Sequence, residues 1–168
     1  MTALLQTAHA LREREQRPPA DVYIVFTTSE EIGGVGGSYA SRTLPGDLTL
    51  ALEVGPTEAE YSTSVSGGPI IAYGDAQCIY DKDVADRLLH IATELGLSPP
   101  QPAVLGGAFE SDASHAKATG LAPKAGLLCL PTSSTHGYEV IAREAIPAMT
   151  AVLVEFVRAW RGGDRRTD

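Results

Sequence analysis

Basic side chains are scarce. Thirteen Lys and Arg stand against twenty-one Asp and Glu, a formal charge of −8. A surface that grips phosphates needs clustered Lys and Arg, so nucleic acid is excluded as a partner. The one basic cluster, Arg161 to Arg166, reads as a solvated, fraying end, with 162–168 expected to be disordered. Cysteine is nearly absent too. Cys78 and Cys129 cannot build a disulfide framework; each lies in an apolar run, which predicts reduced, buried thiols and a cytoplasmic setting. The longest apolar run, Ile146 to Val157, is too short to span a bilayer and carries Glu155, so no membrane role is expected. The N-terminus lacks a basic start followed by an apolar stretch, so no signal peptide is read. Aromatic residues make up only 6%, but an apolar fraction of 43% fits a soluble α/β protein better than a disordered one.

What remains is a chain of 168 residues, enough for one domain with a sizeable core, without repeats or low-complexity linkers. Leu4, Leu5, Ala8 and Leu11 predict a helix over Ala3 to Gln16, stopped by Arg17-Pro18-Pro19. Val22 to Thr28 (VYIVFTT) reads as a strand covered on both faces. A glycine-rich turn and a short helix over Val35 to Ser41 follow, then a second buried strand ending at Glu53. Further strands are expected near Tyr61 to Val65, Pro69 to Tyr73, Ala103 to Leu105 and Gly126 to Leu130. Helices are expected at Lys82 to Leu95, Ala113 to Thr119 and Ala145 to Arg161, the last with Pro147 in its first turn. This alternation implies an α/β fold: a mostly parallel central sheet with helices on both faces. Sites in such sheets form at the carboxyl ends of strands, where Glu30, Glu31 and Glu53 fall.

Glu30 and Glu31 leave the first strand in succession, so their side chains should diverge. One could hold a metal while its neighbour holds the reacting water; equally, both could be solvated acids favoured by the following helix dipole. Glu53 weakens the second reading, because an unpaired carboxylate after the buried run LTLALE would be desolvated. Of four histidines, His9 and His90 read as surface or boundary residues, and His115 as a capping or exposed residue of a short helix. His136, in LCLPTSSTHGYEV, follows a buried strand and can reach the same sheet edge. Glu31, Glu53 and His136 form an oxygen-and-nitrogen donor set suited to zinc, cobalt or manganese.

The segments VFTTSEEIGGVGGSYA, LALEVGP, GGPIIAYGD and ESDASHAKATGLAPKAGLLCLPTSSTHGYEVI resemble, in this order, the glutamyl and deblocking aminopeptidases that assemble as tetrahedral particles. The resemblance covers nearly the whole chain. It implies a two-metal peptidase acting on peptides with a free N-terminus, with Glu30 as general base and Glu31 as a metal ligand. Glu53 would be the terminal carboxylate on one ion, and His136 would share an ion with Glu31. Relatives carry His-Ser where this chain has His136-Gly137, and GTDA where it has ESDA around Asp112, which receives no role. Only 83 positions (136 − 53) separate Glu53 from His136. That leaves no room for the lid domain of the related deacylases and carboxypeptidases. Single-domain leucyl aminopeptidases have comparable spacing, but GGPII with the later SDA favours the tetrahedral group.

Such enzymes also carry a His-x-Asp strand end and a bridging Asp, which this sequence lacks. The expectation is therefore a partial catalytic domain over 1–168, zinc-exopeptidase-like with N-terminal strands missing. It would supply three of five ligands and hold at most one partial metal site, whereas the complete enzyme would hold two divalent ions and form a homo-oligomer. Two rival functions stay open: a non-catalytic pseudo-peptidase or inactive fragment, and a metal-dependent deacylase of N-acyl amino acids.

Overall fold

The computed structural model describes residues 1–162. Of the expected tail at 162–168, all but Gly162 lies outside these residues, and so does most of the basic cluster. The described residues form five α-helices and five strands, in the order α1 (Thr2–Arg12), α2 (Val35–Thr43), β1 (Leu48–Pro56), β2 (Ile70–Gly74), α3 (Lys82–Leu95), β3 (Gln101–Val104), α4 (Asp112–Ala118), β4 (Lys124–Ser133), β5 (Val140–Ile141) and α5 (Ala145–Ala159).

The sheet runs β1-β4-β2-β3, with β5 added to β4. It is mixed. β1 lies parallel to β4 and β2 parallel to β3, while β2 and β5 each run antiparallel to β4. The central strand β4 is buried almost throughout, so its sequence is continuously apolar rather than alternating. One face packs on α1, α3 and α5 through Ile71, Leu88, Leu128, Met149, Val152 and Phe156. On the other, Ile70, Ala72, Leu105, Ala113, Leu127 and Cys129 form a second core beneath α4. Burial repeats at helical spacing in α3 (Val84, Ala85, Leu88, Ala92), the signature of a helix with one face against a sheet. Both cysteines are free thiols, Cys129 buried and Cys78 half-buried. Among the described residues no helix is long and apolar enough to cross a membrane.

Two expected strands do not form. Among the described residues Val22 to Thr28 pairs with no strand, and Val22, Tyr23, Val25 and Phe26 are 38–48% exposed. Its apolar character reports a tendency to be buried in a sheet, but pairing needs a neighbour, and β1 lies across an open slot from it. Tyr61 to Val65 is interrupted at Ser62, whose φ of +55° breaks an extended course after a single 3-10 turn, Ala59–Tyr61. There Thr63 donates to the Pro56 carbonyl at 2.7 Å.

Candidate functional site

The loop that carries Glu30 and Glu31 is tied to its own glycines. The Glu30 carbonyl accepts from the amides of Gly33 (3.1 Å) and Gly34 (2.9 Å), and the Thr28 carbonyl accepts from Gly36 (3.1 Å). Gly34 has φ +60°, and a Cβ there would stand 2.7–2.8 Å from the His115 ring and Cβ. At Gly37, inside α2, a Cβ would meet Asp112 at 2.4–2.5 Å. The glycine-rich stretch therefore lets α2 lie directly on α4. Ser29, immediately before the acids, has φ +59°, a left-handed conformation uncommon outside glycine and frequent at functional sites.

The two acids differ in exposure. Glu31 is exposed, and its Oε2 lies 3.5 Å from the Nε2 of His136. Glu30 is half-buried, and its pKa is raised, chiefly by burial, then by the charges of Asp112 and Glu31, with His115 opposing. Glu53 sits in β1 opposite the buried Cys129. Its carboxyl is pushed up to about 7, first by burial and then by Glu30, Asp112 and Glu31. His136 stands in the loop from β4 to β5 with φ +63°, and its backbone N–H donates to the Glu139 carboxylate at 3.2 Å.

The sequence reading gave no role to Asp112 and took His115 for a capping or exposed group. Ser111 is the N-cap of α4, with a capping box closed by Ser114. His115 is only 17% exposed, with Nε2 2.9 Å from Glu110 Oε2. Asp112 Oδ2 accepts from Thr27 Oγ1 at 2.6 Å, while its Oδ1 is buried without a partner. The run Glu110, Asp112, His115, three titratable groups in six residues, was the available signal.

Crowded carboxylates with raised pKa values, beside a histidine, fit a divalent cation in donor chemistry, since a cation would favour their ionised forms. The fit in number is partial. Among the described residues no three His, Cys, Asp or Glu side chains converge closely enough to hold an ion. Glu31 and His136 come together, and Glu53 does not join them within that reach.

Comparison with known proteins defines the family. The model of the M42 glutamyl aminopeptidase family matches residues 1–152, and the chain belongs to that family. The fold is similar to a TET aminopeptidase from the marine sediment archaeon Thaumarchaeota archaeon SCGC AB-539-E09, with TM-score 0.84 and 19% identity. That match covers 94% of this chain and 45% of the other. An aminopeptidase from Desulfurococcus kamchatkensis matches at TM-score 0.82 and 24% identity, over 93% and 45% of the two chains. The Pyrococcus horikoshii TET1 peptidase, which can assemble into a tetrahedron or a large octahedral shell, matches at 0.69 and 22%, over 80% and 40%. This chain thus spans less than half the length of each.

Proposed function

We propose that residues 1–162 carry one part of the catalytic apparatus of a metal-dependent aminopeptidase, with Glu30 as general base and Glu31, Glu53 and His136 as metal ligands. The observation that carries this reading is the pairing of Glu31 with His136 at 3.5 Å beside the half-buried Glu30. The complete domain would hold two divalent ions, zinc or cobalt before manganese, and this chain at most one partial site. A divalent ion bound there would lower the pKa of water toward neutrality and polarise a scissile carbonyl. Glu30, its pKa raised by its surroundings, suits a group that takes a proton from the attacking water and returns it to the leaving amine. Glu139 holds the backbone at His136. Peptides with a free N-terminus are the substrates, and assembly into a homo-oligomer fits the shells formed by the TET1 relative.

Cobalt titration followed by visible absorption tests the ligand set. About one ion should bind the 168-residue chain, weakly, and His136→Ala should abolish the signal. In a complete domain, Glu30→Gln should keep the metal and lose turnover of aminoacyl anilides. Cobalt binding indifferent to His136, or anilide turnover surviving Glu30→Gln, would remove the respective assignment; turnover of N-acyl amino acids instead would move the activity to the deacylase class.

A further inference from the structure

The turn that presents Glu30 and Glu31 has no sheet to hold it. Among the described residues the segment before it pairs with no strand, and the backbone bonds of the turn itself are local: the Glu30 carbonyl accepts from Gly33 and Gly34, Ser29 from Val35, and Thr28 from Gly36. Ser29 at φ +59° and Gly34 at φ +60° both take the left-handed conformation. For a residue with a side chain, such as Ser29, that conformation is unfavourable and persists only where the surroundings impose it.

Those surroundings include one turn of α4. Asp112 and His115, three residues apart and so on one face of the helix, meet the acidic turn on either side of its two acids. Before them, Thr27 Oγ1 donates to Asp112 Oδ2 at 2.6 Å. After them, the His115 ring lies so close on Gly34 that no Cβ would fit between the two. His115 is itself held from behind. Its Nε2 is 2.9 Å from Glu110 Oε2, and the other Glu110 oxygen accepts from Gln77 Nε2 at 2.6 Å. Gln77 is fixed in turn, its backbone N–H donating to Asp75 Oδ1 at 2.9 Å. The imidazole is thus wedged between a carboxylate and a glycine. A ligand role does not suit it: Nε2 is already taken by Glu110, and among the described residues no three metal-binding side chains converge.

We propose that His115, braced by Glu110, is a positioning residue for the aminopeptidase site. Its ring seats Gly34, whose amide holds the Glu30 carbonyl, and so fixes the backbone from which Glu30 and Glu31 project. This role rests on those proposed above for the two acids. It is one of placement rather than charge, since the ring meets Gly34 through its carbon atoms.

Hydrogen exchange and cobalt titration of the 168-residue chain test it. In His115→Ala the amides of Gly33 and Gly34, which bond the Glu30 carbonyl, should exchange roughly tenfold faster relative to those of the central strand β4. Cobalt affinity should fall by a similar factor, because Glu31 leaves its place opposite His136. Glu110→Ala should reproduce both effects. Glu110→Gln, which keeps an oxygen for His115 and an amide for Gln77 but no charge, should restore most of the wild-type behaviour. A general loosening would speed the two glycines and β4 together; that result overturns the proposal, as does unchanged exchange at Gly33 and Gly34. Glu110→Gln as damaging as Glu110→Ala overturns it too, by making charge the agent. A wild-type chain that takes up no cobalt, with the glycines still loosened in His115→Ala, would remove the ligand reading of Glu31 and His136 while supporting the role of His115 in holding the turn.

Discussion

Replacing Gly37 by alanine should lower the melting temperature by about 5–10 °C. The new Cβ would stand 2.4 Å from Cβ and Cγ of Asp112 and 2.5 Å from its Oδ1, where 3.4–4 Å is ordinary contact. Neither side can yield easily: Gly37 is buried within α2, and Asp112 occupies the first turn of α4 behind its capping box. Forcing a methyl into packed space costs about 1–3 kcal/mol. Displacing the Asp112 carboxylate also strains its bond from Thr27, worth roughly 1.5 kcal/mol at the lower end for a charged acceptor near solvent. Alanine returns about 1 kcal/mol of helix propensity. The balance is a loss of roughly 2–3 kcal/mol, read by urea denaturation and thermal melting with Trp160 fluorescence. The contact can be isolated by a double-mutant cycle. In an Asp112→Gly background, which removes the Cβ as well as the carboxylate, Gly37→Ala should be neutral or slightly stabilising. An equal cost in both backgrounds would refute the contact as the cause, and an unchanged midpoint in the single variant would refute the packing argument itself.

Glu53 should make the metal-free protein less stable as pH rises. Its folded pKa of about 7 exceeds the ordinary 4.5, so the stability tied to its proton is complete below about pH 4.5 and is lost as pH climbs through 7. Half-buried, it should account for about 2 kcal/mol of difference between pH 5 and pH 8 in urea unfolding; the same drop in Glu53→Gln would contradict this. His136→Gly should leave stability unchanged or raise it by about 1 kcal/mol, since glycine adopts φ +63° without strain, yet abolish cobalt binding. A variant that loses stability would show that the imidazole packs rather than ligates. Tyr80→Phe should cost about 1–2 kcal/mol, because the buried Tyr80 hydroxyl bonds both Asp75 and the Ser111 cap of α4. Chemical denaturation measures it, and a cost near zero would mean that water replaces the hydroxyl.

Elements that carry their own local reason were legible. α3 was readable to the residue because burial at helical spacing is written into Val84, Leu88 and Ala92. β4 was visible as an uninterrupted apolar run, and α5 from its length and its first-turn proline. Elements that depend on a partner were not. Val22 to Thr28 has the composition of a central strand, yet whether it pairs is decided by what lies beside it. The antiparallel join of β2 to β4 is likewise a matter of connection, which alternating composition does not encode. At the site, the reach of His136 toward the acids followed from its place after a buried strand, whereas its closeness to Glu31 was implied by the family resemblance. Asp112 escaped because its part in the acid cluster arises from the contact with Gly37 and the bond from Thr27, both distant in sequence.

The parallel pairing of β1 with β4, Leu48 opposite Lys124 through Pro56 opposite Thr132, sets a timetable for biosynthesis. The two strands start 76 positions apart (124 − 48), so β1 leaves the ribosome well before the strand it pairs with exists. Contacts so far apart in sequence form slowly. Until β4 emerges, the leucine-rich edge of β1 stays unpaired in the nascent protein, the condition in which general chaperones find their clients.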